Sequence, residues 1–222
     1  KSERFRTELI TNVSHDIKTP LTSIINYVDL LQKEDIDNEK VREYFDVLDR
    51  QSSRLKKLIQ DLLEASKAST GSINVELEEL DAAVMLSQVA GEYKEKFEKN
   101  NLDLIIKNDV TPVMIQADGR HLWRVFDNLM NNINKYAQPC TRVYIDIIPK
   151  DSGAIITFKN VSATPLNISS DELKERFVRG DSSRNTEGSG LGLSIAESLM
   201  KLMNGTLELT VDGDLFKVTL EF

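Results

Sequence analysis

The stretch NVSHDIKTPLTSI, Asn12 to Ile24, sets a proline five residues after one of the chain's two histidines, inside what reads as a helix. Around it apolar residues recur at steps of three and four: Phe5, Leu9, Val13, Ile17, Leu21, Ile24, Val28 and Leu31. That spacing predicts an amphipathic helix. Pro20 has no N–H and cannot donate to the carbonyl of Asp16, so a bend is expected just past His15. His15 falls off the Val13–Ile17 stripe, flanked by Ser14 and Asp16, and shares a helix face with Thr19. Two readings stand on the residues alone. His15 is a solvent-facing histidine beside a kink, or it is a nucleophile whose tautomer and proton the adjacent acid controls.

Working outward, residues 33–39 are polar and predict a turn. A second stripe follows through Val41, Phe45, Leu48, Gln51, Leu55, Leu58 and Leu62, ending near Ala68 at the breakers Ser69, Thr70, Gly71 and Ser72. Two such helices joined by a short link form an antiparallel hairpin. Ile10, Ile25, Tyr44, Ile59 and Leu63 widen its apolar surface beyond one partner's seam. A second copy of the chain would cover the excess, giving a four-helix bundle from two chains.

Past Gly71 the periodicity changes. Strand-like pieces at 73–77, 102–106, 113–116, 143–148, 154–159, 206–211 and 215–221 alternate with helical ones at 82–99, 119–136 and 191–203. The last two strands flank Asp212-Gly213-Asp214, a hairpin turn. The pattern predicts a two-layer α/β sandwich. Residues 161–188 lack apolar periodicity and are long for a structureless loop, which favours a functional lid.

Composition narrows the class. With 222 residues the chain is one large domain or two small ones, and 28 Lys+Arg against 36 Asp+Glu disfavour a broad nucleic-acid-binding face. Cys140 is the only cysteine, so neither an internal disulfide nor a cysteine-held zinc is available. It reads as an inert thiol, and His121, beside Trp123, as structural. No apolar run reaches the ~18 residues needed to span a bilayer. The chain opens inside a charged helical pattern without an initiator Met, as the soluble part of something longer would.

Two motifs in the second half bear on chemistry. In LWRVFDNLMNNINKYA, Leu122 to Ala137, Asn128 and Asn132 stand four apart on a helix that otherwise reads as buried. They form a polar helix face, or they present amide oxygens to a hydrated Mg²⁺ and its phosphates, Mg²⁺ preferring hard oxygen ligands. In EGSGLGLSIAESLM, Gly188, Gly190 and Gly192 lead straight into a helix, where bare backbone N–H groups complement anionic charge.

NVSHDIKTPLTSI resembles the phosphoacceptor motif of the sensor histidine kinases of two-component systems, through His15, Asp16, Lys18 and Pro20. The asparagine helix resembles the asparagine box of the ATP-binding domain that these kinases share with gyrase and mismatch-repair ATPases. GSGLGLSIA is similar to that family's second glycine box, and ELKERFVRGD to its phenylalanine box, with Phe177 as the aromatic. The resemblance covers nearly the whole chain. It implies a dimerisation and histidine phosphotransfer domain over 1–68, a hinge over 69–74 and a catalytic ATP-binding domain over 75–222. It further implies autophosphorylation of His15 by ATP, with Asp16 as base, and transfer to an aspartate of a response regulator. Thr19 would position water for dephosphorylating that partner. Asn132 is the implied principal Mg²⁺ ligand with Asn128, and Lys135 and Tyr136 lie around phosphates and adenine. Arg179, Arg184, Gly188, Gly190, Leu191 and Gly192 complete the implied nucleotide site. The implied setting is the cytoplasmic part of a membrane-bound sensor, working as a homodimer.

One element departs from the family pattern. Where Asp-x-Gly-x-Gly is usual, this chain has NVSAT, with Asn160 in the aspartate's place and no glycine. Asn160 could still accept a hydrogen bond from the adenine amine, without a charge. The departure leaves open a protein that acts chiefly as a phosphatase of its partner, and a non-catalytic, ATP-sensing dimeric scaffold.

Overall fold

The computed structural model describes residues 17–18, 21–34, 38–108, 112–166 and 191–222. The described residues form two compact units, one up to Ile73 with Leu191 and one from Asn74 to residue 166 with Gly192–Phe222.

The first unit is the expected hairpin: α1 (21–33 among the described residues) and α2 (Glu39–Ser69). Asn38 caps α2, its side chain accepting from the Val41 amide at 3.3 Å. Gln32 near the end of α1 reaches Asp46 near the start of α2, at 3.4 Å, which fixes the antiparallel sense. The helix ends where the breakers predict. Gly71 takes φ +66°, the Ser72 amide donates to the Lys67 carbonyl at 3.0 Å, and the Gly71 amide donates to Ala68 at 3.2 Å. This pair of bonds satisfies two of the carbonyls a helix end leaves open, and it needs the left-handed residue that glycine supplies without a Cβ penalty. Leu21, Val28 and Ile59 are buried, while Ile24, Tyr27, Leu30, Leu31, Tyr44, Val47, Leu48, Leu55 and Leu62 are exposed in a single chain. The sequence expectation of a wet stripe is met. His15, Asp16, Thr19, the Pro20 bend and the hairpin tip at 35–37 lie outside the described residues.

The second unit is a two-layer α/β sandwich. Its order is β1 (Glu78–Asp81), α3 (Ala82–Lys99), β2 (Asp103–Asn108), β3 (Met114–Ala117), α4 (Gly119–Tyr136), β4 (Arg142–Pro149), β5 (Ala154–Val161), α5 (Gly192–Leu202), β6 (Thr206–Asp212) and β7 (Leu215–Glu221). Strands β2-β4-β5-β7-β6 form one sheet, parallel between β2 and β4 and antiparallel elsewhere. Alternation sorts its two faces. Ile145, Phe158, Val218 and Leu209 are register partners in one row across four strands and are all buried. On the opposite face Lys159 pairs with Asp146 at 2.5 Å. The buried face takes the helical layer, with Phe158 against Phe126 of α4 at 5.9 Å between ring centroids. Between α3 and α4 the Tyr93 hydroxyl donates to Asp127 at 2.6 Å; burial first, then that carboxylate, hold it protonated far above the ordinary phenol range.

The strand expected at 73–77 is not one. The first strand is β1, five residues later, pairing with β3 so that Leu80 stands opposite Ile115. Residues 74–76 are held instead by the start of α4. The Asp118 side chain accepts from the Arg120 and His121 amides at 3.0 and 3.2 Å, and from the Glu76 amide at 3.0 Å. His121 Nε2 lies 3.2 Å from the Asn74 carbonyl oxygen and 3.9 Å from Asp118, the structural role expected of it. Local alternation predicted a strand at 73–77, but a buried carboxylate further along the chain takes up the backbone donor of residue 76.

Burial alone would push the Asp118 carboxyl up, but the amides of Glu76, His121 and Arg120, with the His121 side chain, outweigh it and hold the carboxyl below its usual range. A depressed native pKa contributes stability that is present above the unfolded value of ~3.9 and is lost as pH falls through the native one. Asp118→Ala, which strands three backbone donors, should cost about 2 kcal/mol at pH 7. Urea melts of both proteins should converge as the pH drops below about 3.9. An equal deficit at both pH values would refute the ionised cap.

Candidate active site at the start of α5 and along α4

Helix α4 buries Leu122, Val125, Phe126, Leu129, Met130 and Ile133. That face is set against the sheet, and a second stripe, Asn128, Asn132, Lys135 and Tyr136, runs along the same helix at steps of four, three and one. Asn128 is only 8% exposed, while Asn132, Lys135 and Tyr136 are half-buried. The asparagines are therefore held by the helix rather than splayed into solvent.

The glycine motif meets this stripe. Gly192 opens α5, and a Cβ built on it would lie 3.4 Å from Asn128 Oδ1. The first turn of α5 therefore sits against Asn128, bringing a helix N-terminus, where the backbone amides have no partner within the helix itself, to the asparagine stripe. Buried Leu193, Ile195, Ala196, Leu199 and Met200 anchor that helix. Leu191 immediately precedes α5 in the sequence.

Asn160 comes from the sheet. It is 4% exposed and lies on the β5 face that carries Phe158 and Ile156. Strand β5 runs alongside α4: Phe158 meets Phe126 at one level, and Ser162 bridges Ala137 at the helix end. Asn160 stands between those two levels. Backbone bonds complete the seam, the Gln138 amide donating to Val161 and the Ala163 amide to Tyr136, both at 2.8 Å.

Among the described residues, buried side-chain N or O atoms without a hydrogen-bond partner occur on three residues: Asn108, Asn128 and Asn160. Native interiors leave few such atoms, because each forfeits about 1–3 kcal/mol. Two of the three belong to the residues singled out from the sequence, and between them they expose a donor (Asn128 Nδ2) and an acceptor (Asn160 Oδ1). Together with Lys135 and the α5 N-terminus, this arrangement suits a ligand with both an anionic part and a polar aromatic part. Among the described residues no group of three His, Cys, Asp or Glu side chains could hold a metal, so a divalent cation here would rely on amide oxygens and on the ligand's own phosphates.

Phe177, Arg179, Arg184, Gly188 and Gly190 lie outside the described residues, as does most of the expected lid. Sequence reasoning missed the Gln138–Val161 and Ala163–Tyr136 stitches. Gln138-Pro139 signalled only a turn, and which carbonyl its amide would meet was not encoded locally. Cys140 is exposed, in a turn at φ +62°, and bonds through its amide to Asn101.

Comparison with known proteins agrees with this layout. Residues 5–71 match the family described as the His Kinase A (phospho-acceptor) domain, and residues 117–222 match the Histidine kinase-, DNA gyrase B-, and HSP90-like ATPase. Sensor protein VanSC of Enterococcus gallinarum is 31% identical over 210 residues, covering 93% of this chain and 58% of VanSC. The autoinducer 2 sensor kinase/phosphatase LuxQ of Vibrio parahaemolyticus is 27% identical over 233 residues, covering 99% of this chain and 27% of LuxQ. The chain thus spans less than two thirds of VanSC and about a quarter of LuxQ. Full-length ShkA, solved in complex with AMPPNP, superposes with a TM-score of 0.78 at 20% identity over 96% of this chain and 45% of ShkA, a likeness of fold. No helix among the described residues is long and apolar enough to cross a membrane. With phosphoacceptor and ATPase domains in succession, the chain belongs to the sensor histidine kinases of two-component systems, as a catalytic core.

Proposed function

We propose that this chain binds ATP with Mg²⁺ along the α4 stripe, phosphorylates itself on His15 and passes the phosphoryl group to an aspartate of a response regulator receiver domain. The observation that carries the reading is a pair of buried amide atoms without a hydrogen-bond partner, Asn128 Nδ2 on α4 and Asn160 Oδ1 on β5. One suits a phosphate oxygen and the other an exocyclic amine. In this reading Asn132 and Asn128 hold Mg²⁺, which neutralises polyphosphate charge when bound. Lys135, Arg179 and Arg184 add cations, Tyr136 and Phe177 border the base, and the backbone from Gly188 to Gly192, Leu191 included, approaches the phosphates. A nitrogen of the His15 imidazole attacks the γ-phosphorus, an N–P bond forms, the bond to the bridging oxygen breaks, and ADP leaves. Asp16 keeps the imidazole a neutral nucleophile by taking up proton charge. Positioning and charge neutralisation supply most of the rate. The regulator's carboxylate then takes the phosphoryl group and His15 returns to its starting form.

The proposed division of labour follows the residues: 1–68 for dimerisation and phosphotransfer, 69–74 as hinge, and 75–222 for catalysis with 161–188 as lid. The chain would work as a homodimer through its two N-terminal helices, on the cytoplasmic side of a membrane-bound sensor. The exposed apolar residues of α1 and α2 support the dimer.

A second reading, dephosphorylation of the partner through Thr19, is favoured by the uncharged Asn160 and by the kinase/phosphatase name of LuxQ.

Incubated with γ-labelled ATP and Mg²⁺, the chain should acquire acid-labile label, absent from His15→Gln and from Asn132→Ala. Acid-stable label, or label surviving His15→Gln, would exclude the proposed acceptor. Thr19→Ala should leave autophosphorylation intact and slow loss of phosphate from a pre-phosphorylated regulator at least about tenfold, ~1.4 kcal/mol; equal loss of both activities would remove Thr19 from this role. Leu48→Asp with Leu55→Asp should shift the chain from dimer to monomer in sedimentation, and an unchanged dimer would place the interface elsewhere.

A further inference from the structure

The ends of α3 and α4 are tied to each other. Helix α3 stops at Asn100, after which Asn101 takes φ +52° and the Leu102 amide turns back to the Phe97 carbonyl at 2.8 Å. That left-handed helix end fixes the backbone beneath the Asn100 side chain. Asn100 Nδ2 donates to the Asn134 carbonyl and to Asn134 Oδ1, both at 2.9 Å. Just beyond, the Cys140 amide donates to the Asn101 carbonyl and the Asp103 amide to the Thr141 carbonyl, both at 3.0 Å.

In a continuing α-helix the Asn134 carbonyl would accept from the amide four residues on, that of Gln138. The Gln138 amide instead crosses to the Val161 carbonyl at the end of β5, at 2.8 Å. Leaving the helix in this way strands the Asn134 carbonyl, and a part-buried carbonyl without a donor costs free energy. Asn100 supplies the missing donor from the neighbouring helix, which removes the cost of the crossing. What the crossing holds is the site. Lys135 and Tyr136 directly follow Asn134, and Asn160 directly precedes Val161. The Tyr136 carbonyl accepts from the Ala163 amide at 2.8 Å, and Asn160 Nδ2 donates to the same Val161 carbonyl at 3.2 Å.

We infer that Asn100 is a positioning residue of the nucleotide site: by satisfying the Asn134 carbonyl from α3, it lets α4 end at Tyr136 and the next free amide join β5, which keeps Lys135, Tyr136 and Asn160 in one register. Asn100 acts only through α4. Resting on the ATP-binding reading above, this places a requirement of the site on α3, outside the asparagine and glycine motifs.

The test pairs equilibrium binding of ATP with Mg²⁺ to amide hydrogen exchange without nucleotide, on the whole chain and on Asn100→Ala, Asn100→Ser and Asn134→Ala. Serine keeps a polar side chain but is too short to reach the Asn134 carbonyl. Both Asn100 variants should bind ATP about fivefold more weakly, the worth of one neutral hydrogen bond. In both, the Ala163 amide should exchange about fivefold faster while the Glu76 amide, held at the other end of α4, keeps its native rate. Asn134→Ala leaves the main-chain carbonyl to Asn100 Nδ2 and should bind ATP within about twofold of the native chain. Native ATP affinity in the Asn100 variants overturns the inference. So does an affinity loss with equal acceleration at Glu76 and Ala163, which is general loosening, or a loss in Asn134→Ala as large as in Asn100→Ala. If one Asn100 variant does not fold, the other decides. Failure of the folded native chain to bind ATP overturns the ATP-binding reading itself, and with it this role, whatever the exchange rates show.

Discussion

The packing of α4 onto β5 is the constraint on which the catalytic unit depends. Phe126 against Phe158, within a core row that includes Ile145 and Val218, fixes the depth and rotation of the helix. Once that face is committed to the sheet, the asparagine stripe can turn only toward the side where α5 begins. One amphipathic helix therefore serves both purposes: its apolar face supplies burial energy, and its polar stripe receives a fixed orientation from it. A loop carrying the same asparagines would have to order them on binding and would lose affinity to that ordering.

The ends of α4 are secured by different means. At its start, Asp118 and His121 gather residues 74–76 against the helix through the Glu76 amide and the Asn74 carbonyl, while Asp118 also caps the amides of Arg120 and His121. At its end, the chain is sewn to the end of β5 and the residues just past it by the Gln138 and Ala163 amides. Both fastenings are polar and local in space but distant in sequence, 42 residues separating Glu76 from Asp118. The site consequently sits on a helix tied at both ends, as a constellation needing sub-ångström placement requires.

The hairpin unit is incomplete in a different sense. Its seam buries Leu21, Val28 and Ile59, yet Tyr44, Leu48, Leu55 and Leu62 remain exposed in the single chain. Apolar surface on this scale needs covering, and a symmetric self-contact is the commonest answer. The hairpin fold is thus legible within one chain, and the exposed residues are those the proposed second copy would cover.

By itself the sequence determined the hairpin, the alternation of strands and helices and the identity of the amides on α4, because each is encoded in a period or a short motif. The Gly71 helix end and the α4 boundaries followed from local chemistry for the same reason. The strand expected at 73–77 gave way to β1 at Glu78–Asp81, since strand position depends on which partner ladder is available. Only the tertiary structure decided the fate of Asn160. Read alone it is a weaker aspartate; in place, its donor is bound to Val161, its neighbours' amides are spent on Asp214 and Tyr136, and a single acceptor is left facing the interior. Hydrogen-bond satisfaction is a property of what surrounds a group in space, and no window of sequence around residue 160 contains residues 136, 138 and 214 together.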